Sequence, residues 1–127
     1  MADITSYLDL ARTGRREAAL RGLIGPGAGS VPALREAFRT ESDPAIRDVI
    51  VEAAWQVRSP GSVDLLAEAL GDASPLVWRQ ALDGLTSLAS SASLRVLEAA
   101  RDRRVDDGEF ANWVEQAIED VTGRINE

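Results

Sequence analysis

The stretch "SDPAIRDVIVEAAWQV" at residues 42–57 decides the fold, because "ASPLVWRQALDGLTSL" repeats its pattern at residues 73–88. When the prolines of the two copies are superimposed, the apolar or small positions coincide, separated by four, three, one and three residues. This spacing is the apolar stripe of an α-helix and not the alternation of a β-strand. The paired positions are Ile46 and Val77, Ile50 and Ala81, Ala53 and Gly84, Ala54 and Leu85, and Val57 and Leu88.

Each copy also begins as a helix should. Asp43 and Ser74 can accept hydrogen bonds from the free amides of the first turn. Pro44 and Pro75 then occupy the first helical position, where no amide donor is needed. The two copies therefore predict two helices with the same start and the same buried face.

A shorter helical pattern precedes each copy, "SVPALREAF" at 30–38 and "SVDLLAEAL" at 62–70, with Ser30 and Ser62 as predicted caps. A third version, "SLRVLEAAR" at 93–101, is followed by "GEFANWVEQAIEDV" at 108–121. Self-similarity at about 31 residues indicates a helical solenoid.

The predicted organisation is a single all-α domain over residues 1–127. Residues 30–59 and 62–90 are clear repeats, and residues 93–125 are a divergent C-terminal repeat. Residues 1–28 are either a degenerate N-terminal pair or a cap. With "DPAIR" as its most specific piece, the pattern resembles the HEAT-repeat superfamily, in particular its short bacterial form related to phycobilisome-lyase-type repeats. The resemblance implies a right-handed α-solenoid of about four antiparallel helix pairs, used mostly to bind proteins.

The composition removes several classes of chemistry. The 127 residues include no histidine, cysteine or lysine, and all 14 cationic side chains are arginine. The usual neutral-pH base, thiolate ligands and Schiff-base chemistry are therefore missing. We expect no catalytic residue, no metal and no cofactor.

Charge and hydropathy also restrict the partners. The net charge of −7 opposes nucleic-acid binding, which depends on basic surfaces. The uncharged run at 84–94 is too rich in serine to cross a membrane, and no signal peptide is evident. We expect a cytoplasmic protein and, because both ends of the solenoid look polar, a monomer.

If the second helix of each pair lines the concave face, as the resemblance implies, a partner-binding surface can be predicted. Trp55 is its expected anchor, because the equivalent positions 86 and 119 are polar. Leu82 and Val51 could instead widen the core, Trp78 could serve surface contact or packing between repeats, and Trp113 is expected to be partly buried. The predicted binding residues are Trp55, Asp48, Val51 and Glu52 on one helix and Trp78, Arg79, Leu82 and Asp83 on the next.

Three functions remain open at this stage. The first is a non-catalytic scaffold or adaptor that binds a protein partner, possibly a basic one, on the concave face. The second is an acidic inhibitor or immunity-type protein that neutralises a basic toxin or nuclease. The third is a repeat-fold enzyme, such as the small helical DNA glycosylases or chromophore lyases that share this architecture. The acidic balance opposes a glycosylase, and the missing histidine and cysteine oppose a lyase.

Overall fold

The computed structural model describes residues 4–103 and 107–126, and all the regular structure in these ranges is helical. Parts of the first and last predicted segments, residues 1–3, 104–106 and 127, lie outside the described residues. The helices are α1 (Ile4–Arg12), α2 (Arg16–Ile24), α3 (Val31–Thr40), α4 (Pro44–Val57), α5 (Pro60–Leu70), α6 (Pro75–Leu88), α7 (Ser91–Arg103) and α8 (Gly108–Ile125), with a 3₁₀ turn at Gly27–Ser30.

The helices form consecutive antiparallel pairs, α1 with α2, α3 with α4, α5 with α6 and α7 with α8. The second helices α2, α4, α6 and α8 contact one another in that order and form one layer. The first helices α1, α3, α5 and α7 form the other layer. The chain is an all-α solenoid, which confirms the fold class predicted from the repeat.

The predicted stripe is the core of this solenoid. Ile46, Ile50 and Ala54 of α4 are buried, and so are their counterparts Val77, Ala81 and Leu85 of α6. Removing the buried part of one such large side chain typically costs 2–5 kcal/mol for a leucine or isoleucine truncated to alanine. The repeat is therefore a packing unit, in which each helix buries its stripe against its neighbours.

The helix starts agree with the sequence only in part. Asp43 caps α4 as predicted, its side chain accepting a hydrogen bond from the Ala45 amide at 3.0 Å. Ser74 occupies the cap position of α6 but its side chain makes no capping bond, and its backbone amide donates to Asp72 Oδ2 at 2.9 Å. The Ser30 hydroxyl likewise turns away and donates to the Gly27 carbonyl at 2.8 Å.

The predicted cap at Ser62 is wrong, because α5 begins two residues earlier at Pro60. Ser59 is the cap, and Ser62 lies at the third helical position, where its Oγ accepts from the Ser59 amide at 3.3 Å. Proline suits the first helical position, so Pro60 shifts the start of the helix toward the N-terminus.

Candidate partner-binding surface

The predicted binding residues lie on α4 and α6, two of the second helices. The solvent-facing side of α2, α4, α6 and α8 is called here the second-helix face. A network of polar side chains joins the first three of these helices. Arg16 of α2 donates from Nη1 to Asp48 Oδ2 at 2.9 Å and from Nε to Glu52 Oε1 at 3.1 Å. Gln80 of α6 donates from Nε2 to the other oxygen of Asp48 at 2.9 Å. The carboxylates of α4 therefore bind neighbouring helices of the same chain.

The charges in this network are balanced internally. Asp48 is only 6% exposed, so a carboxylate there needs a partner. Burial works against the charge on Arg16, but hydrogen bonds to Glu52 and Asp48 hold the pKa of its guanidinium above the ordinary value. Asp48 and Glu52, predicted to face a partner, thus have Arg16 as their cation.

Trp55 extends the same network. Its indole Nε1 donates to Gln80 Oε1 at 2.8 Å, and its ring is half-buried against Gly84 of α6. The ring keeps an exposed edge, but its polar atom is already satisfied. Trp55 therefore covers the junction between α4 and α6.

Three predicted surface residues are core residues, which corrects their placement. Val51 and Leu82 are buried, and Trp78 is only 2% exposed. Trp78 packs edge-to-face on Phe110 of α8, with ring centroids 5.2 Å apart. The reason is geometric: a second helix touches its pair partner and also a second helix on each side, so its buried face is wider than one stripe.

The exposed aromatic residue lies on the last helix instead. Trp113 of α8 is 46% exposed, although the sequence predicted partial burial. The Arg79 guanidinium lies 5.3 Å from the ring centroid of Trp113 and 5.4 Å from that of Trp78, and it pairs with Glu109. Arg79 is exposed as predicted and joins α6 to α8.

A groove runs along the surface between α6 and α8, called here the α6–α8 groove. It exists because the residues that fill the previous junction are replaced. Thr86 stands one repeat after Trp55, so the bulky side chain that covers the α4–α6 junction is absent here. When Phe110 of α8 is aligned with Val77 of α6, Trp113 takes the position of Gln80. The lining residues are Leu82, Asp83, Thr86, Ser87, Trp113, Gln116, Ala117 and Asp120.

Both walls of the groove carry an acid. Neither Asp83 of α6 nor Asp120 of α8 forms an ion pair with any arginine in the described part of the chain. Partial burial and the negative charge of nearby Asp48 raise the pKa of Asp83. Near one end of the groove, Arg124 Nη1 donates to the Thr86 carbonyl at 2.9 Å.

The described residues contain no group of three or more acidic side chains placed to hold a metal ion. Among the same residues, no helix has the length and apolar character needed to cross a bilayer.

A family model described as HEAT repeats matches residues 31–119, which run from the start of α3 well into α8. The chain belongs to the HEAT-repeat family. HEAT repeats are commonly protein-interaction scaffolds. In this HEAT-repeat protein the matched residues include all of α4 and α6, and therefore the whole α6 wall of the α6–α8 groove, together with Trp113 of α8. Searches of curated proteins and of solved structures each gave no match.

Proposed function

We propose that the protein is a non-catalytic scaffold or adaptor that binds a protein partner on the concave face of the solenoid, formed by the second helices. The observation that carries this proposal is Trp113, whose ring is 46% exposed beside an open groove on that layer. Tryptophan and arginine are enriched at the centres of protein interfaces, and Arg79 lies over the Trp113 ring. The membership in the HEAT-repeat family supports the same function.

The predicted residues divide into two roles under this proposal. Arg79, Asp83 and the exposed edge of Trp55 face the partner. Asp48 and Glu52 instead join α4 to α2 through Arg16, and Asp48 joins α4 to α6 through Gln80. Trp113 replaces Trp55 as the anchor, because more of its ring is free. We propose a monomer that works without metal or cofactor.

The test is affinity capture from the source cells, followed by binding measurements with the purified prey. Trp113→Ala is compared with the wild type and with Arg95→Ala, which removes an exposed side chain from α7 in the opposite layer. We expect one prey to bind the wild type and Arg95→Ala alike. Its Kd for Trp113→Ala should rise about 30-fold, the effect of losing an anchor worth about 2 kcal/mol. A prey that binds all three proteins equally would contradict the proposal.

The second candidate is an acidic inhibitor or immunity-type protein that neutralises a basic toxin or nuclease. The observation that favours it is that Asp83 and Asp120 form no ion pair with the arginines that the structure describes, in a chain with a net charge of −7. Opposite charges steer association, so the on-rate with such a partner should fall at least about tenfold from low to high salt. An on-rate that is independent of salt would leave only the adaptor.

A further inference from the structure

We propose that the α6–α8 groove binds an arginine side chain of a basic partner segment, with the guanidinium at Asp83 and Asp120 and the methylene stem against Trp113. The inference rests on the proposed function, because it specifies the chemistry of the partner at that surface. Elsewhere the chain pairs interhelical acids with arginines, whereas the two acids of this groove have no such partner among the described residues.

At two other junctions, an acid of one helix meets an arginine of the next. Arg16 of α2 pairs with Asp48 and Glu52 of α4. In the first-helix layer, Arg35 and Arg39 of α3 pair with Glu68 of α5 at 2.8 and 2.5 Å. At these two junctions the carboxylates are therefore matched by guanidinium groups from the neighbouring helix.

The α6–α8 groove breaks this pattern. Each wall contributes a carboxylate, Asp83 from α6 and Asp120 from α8, and no arginine of the described residues pairs with either. Burial and the negative charge of Asp48 disfavour the charged form of Asp83, and a cation from outside would favour it. Arg79 pairs with Glu109 at this junction and with neither acid of the groove, so the guanidinium for these two acids would be supplied in trans.

The shape and polarity of the groove suit arginine in particular. Its apolar part consists of Leu82, Ala117 and the Trp113 ring, and its acids lie on the two walls. Arginine can place its methylene stem along apolar surface while its planar head donates to carboxylates and stacks on aromatic rings. The chain itself shows this contact, since Arg79 lies over Trp113 and pairs with Glu109.

A second groove on the same layer lacks this selectivity. It is lined by Glu17, Leu20, Arg21, Ile24 and Gln56. Because Glu17 and Arg21 have opposite charges, its rim favours neither sign of partner. Glu17 is thus an exposed acid of the second-helix layer outside the α6–α8 groove, and it provides a matched control.

The binding experiment uses a fluorescein-labelled peptide of arginine, alanine and leucine, and the same peptide with citrulline in place of arginine. Citrulline keeps the shape of the side chain but has no charge. Binding to the full chain is followed by fluorescence anisotropy. We expect the arginine peptide to bind at least about tenfold more tightly than the citrulline peptide, as charge-assisted pairing and stacking on tryptophan together require.

Three variants locate the binding. Asp83→Asn with Asp120→Asn removes both charges from the groove, and the Kd of the arginine peptide should rise about tenfold. Glu17→Gln with Glu119→Gln removes the same charge outside the groove and should change the Kd less than about twofold. Thr86→Trp with Ala117→Gly copies the closed α4–α6 junction while keeping both acids, and it should also weaken binding about tenfold because the groove is filled.

Several results would overturn the inference. These are no binding of the arginine peptide, equal binding of the citrulline peptide, equal losses in the groove and control variants, and full binding after the groove is filled.

Failure of the proposed function is a separate result. A cellular prey lost with Trp113→Ala but unaffected by Asp83→Asn and Asp120→Asn would keep the scaffold and reject the arginine site. If instead the groove binds the arginine peptide but no specific prey is captured, the arginine site is kept and the scaffold function is rejected.

Discussion

Gly84 of α6 lies directly against the side chain of Trp55 of α4. A Cβ atom added at position 84 would lie 2.7 Å from Cβ, Cγ and Cδ1 of the tryptophan, closer than real Cβ contacts come. The two helices can approach this closely because position 84 has no side chain. The stripe of the preceding repeat has alanine there, so the glycine is specific to the junction that Trp55 covers.

The first prediction is that Gly84→Ala destabilises the protein although alanine favours the helix. The new methyl group must push α4 from α6, because the Trp55 atoms it meets are near the backbone and cannot rotate away. Overpacking of this kind typically costs 1–3 kcal/mol, against a gain in helix propensity of about 1 kcal/mol. The net loss of unfolding free energy, measured in urea, should reach up to about 2 kcal/mol.

The matched control is Gly123→Ala in α8, where an added Cβ would have no atom within 4 Å. Only the helix propensity changes there, so the free energy of unfolding of this variant should rise by up to about 1 kcal/mol. The prediction for Gly84 is wrong if both glycines respond alike. Adding Trp55→Ala to Gly84→Ala should also remove most of the penalty due to the methyl group, because its neighbour is gone.

The second prediction concerns the arginine that joins α2 to α4. Arg16→Met keeps much of the stem but leaves Asp48, which is 6% exposed, without its cation. Breaking a buried pair costs 3–5 kcal/mol, and Arg16 is itself partly exposed, so we expect a loss of about 1–3 kcal/mol.

The comparison variant for this pair is Asp48→Asn in the Arg16→Met background. Removing the unpaired charge should recover part of the stability, because asparagine can still bind Gln80. Unfolding in urea gives the four free energies of the cycle. Additive losses from the two substitutions would show that Arg16 and Asp48 are not coupled.

The fold could be predicted from the sequence because its signals are local. The proline after Asp43 marks the start of α4, and the stripe from Ile46 to Ala54 needs only the period of one helix. The predicted cap of α5 lies three residues after the observed one, because Ser59 and Ser62 are both plausible caps. They act together, and only the hydrogen bonds show which one precedes the helix.

The site could be predicted less well because it depends on several helices at once. A single helix pattern shows one buried stripe, whereas α4 and α6 are covered on three sides, so Val51, Leu82 and Trp78 are buried. The exposure of Trp113 could have been predicted by comparing the residues at equivalent positions of successive second helices. The sequence alone shows Thr86 one repeat after Trp55, and this loss of bulk uncovers the tryptophan on the next helix.

The third prediction is a loss of stability in acid that begins near the ordinary pKa of glutamate. Hydrogen bonds from Arg39 and Arg35 lower the pKa of Glu68, and those from Arg12 lower the pKa of Glu41. A carboxyl with a lowered folded pKa adds stability above its unfolded pKa, about 4.3, and loses it as the pH falls through the folded value. The urea midpoint should therefore drop as the pH falls below about 4.5.

The variant that checks this origin is Glu68→Gln with Glu41→Gln. It should be less stable than the wild type at neutral pH, by roughly 1 kcal/mol after solvent screening. The difference should shrink as the pH falls, since the wild-type carboxyls become neutral as well. A constant difference over the whole pH range would assign the loss to packing and not to charge.

The fourth prediction has the opposite sign and concerns Asp83. Its pKa is raised by partial burial and by Asp48, so the folded protein holds this proton at a pH where the unfolded chain has lost it. At neutral pH the charged form therefore costs stability, and the cost disappears as the pH falls through the folded pKa toward the unfolded value. Asp83→Asn should raise the free energy of unfolding at neutral pH by roughly a few tenths of a kcal/mol, the size of screened surface interactions, and the gain should vanish in acid.

Thermal unfolding measured beside Glu17→Gln, whose profile should not show this gain, checks the prediction. If Asp83→Asn destabilises the protein at neutral pH, the aspartate has a stabilising partner within the fold, and the groove would then lack the unpaired acid on its α6 wall.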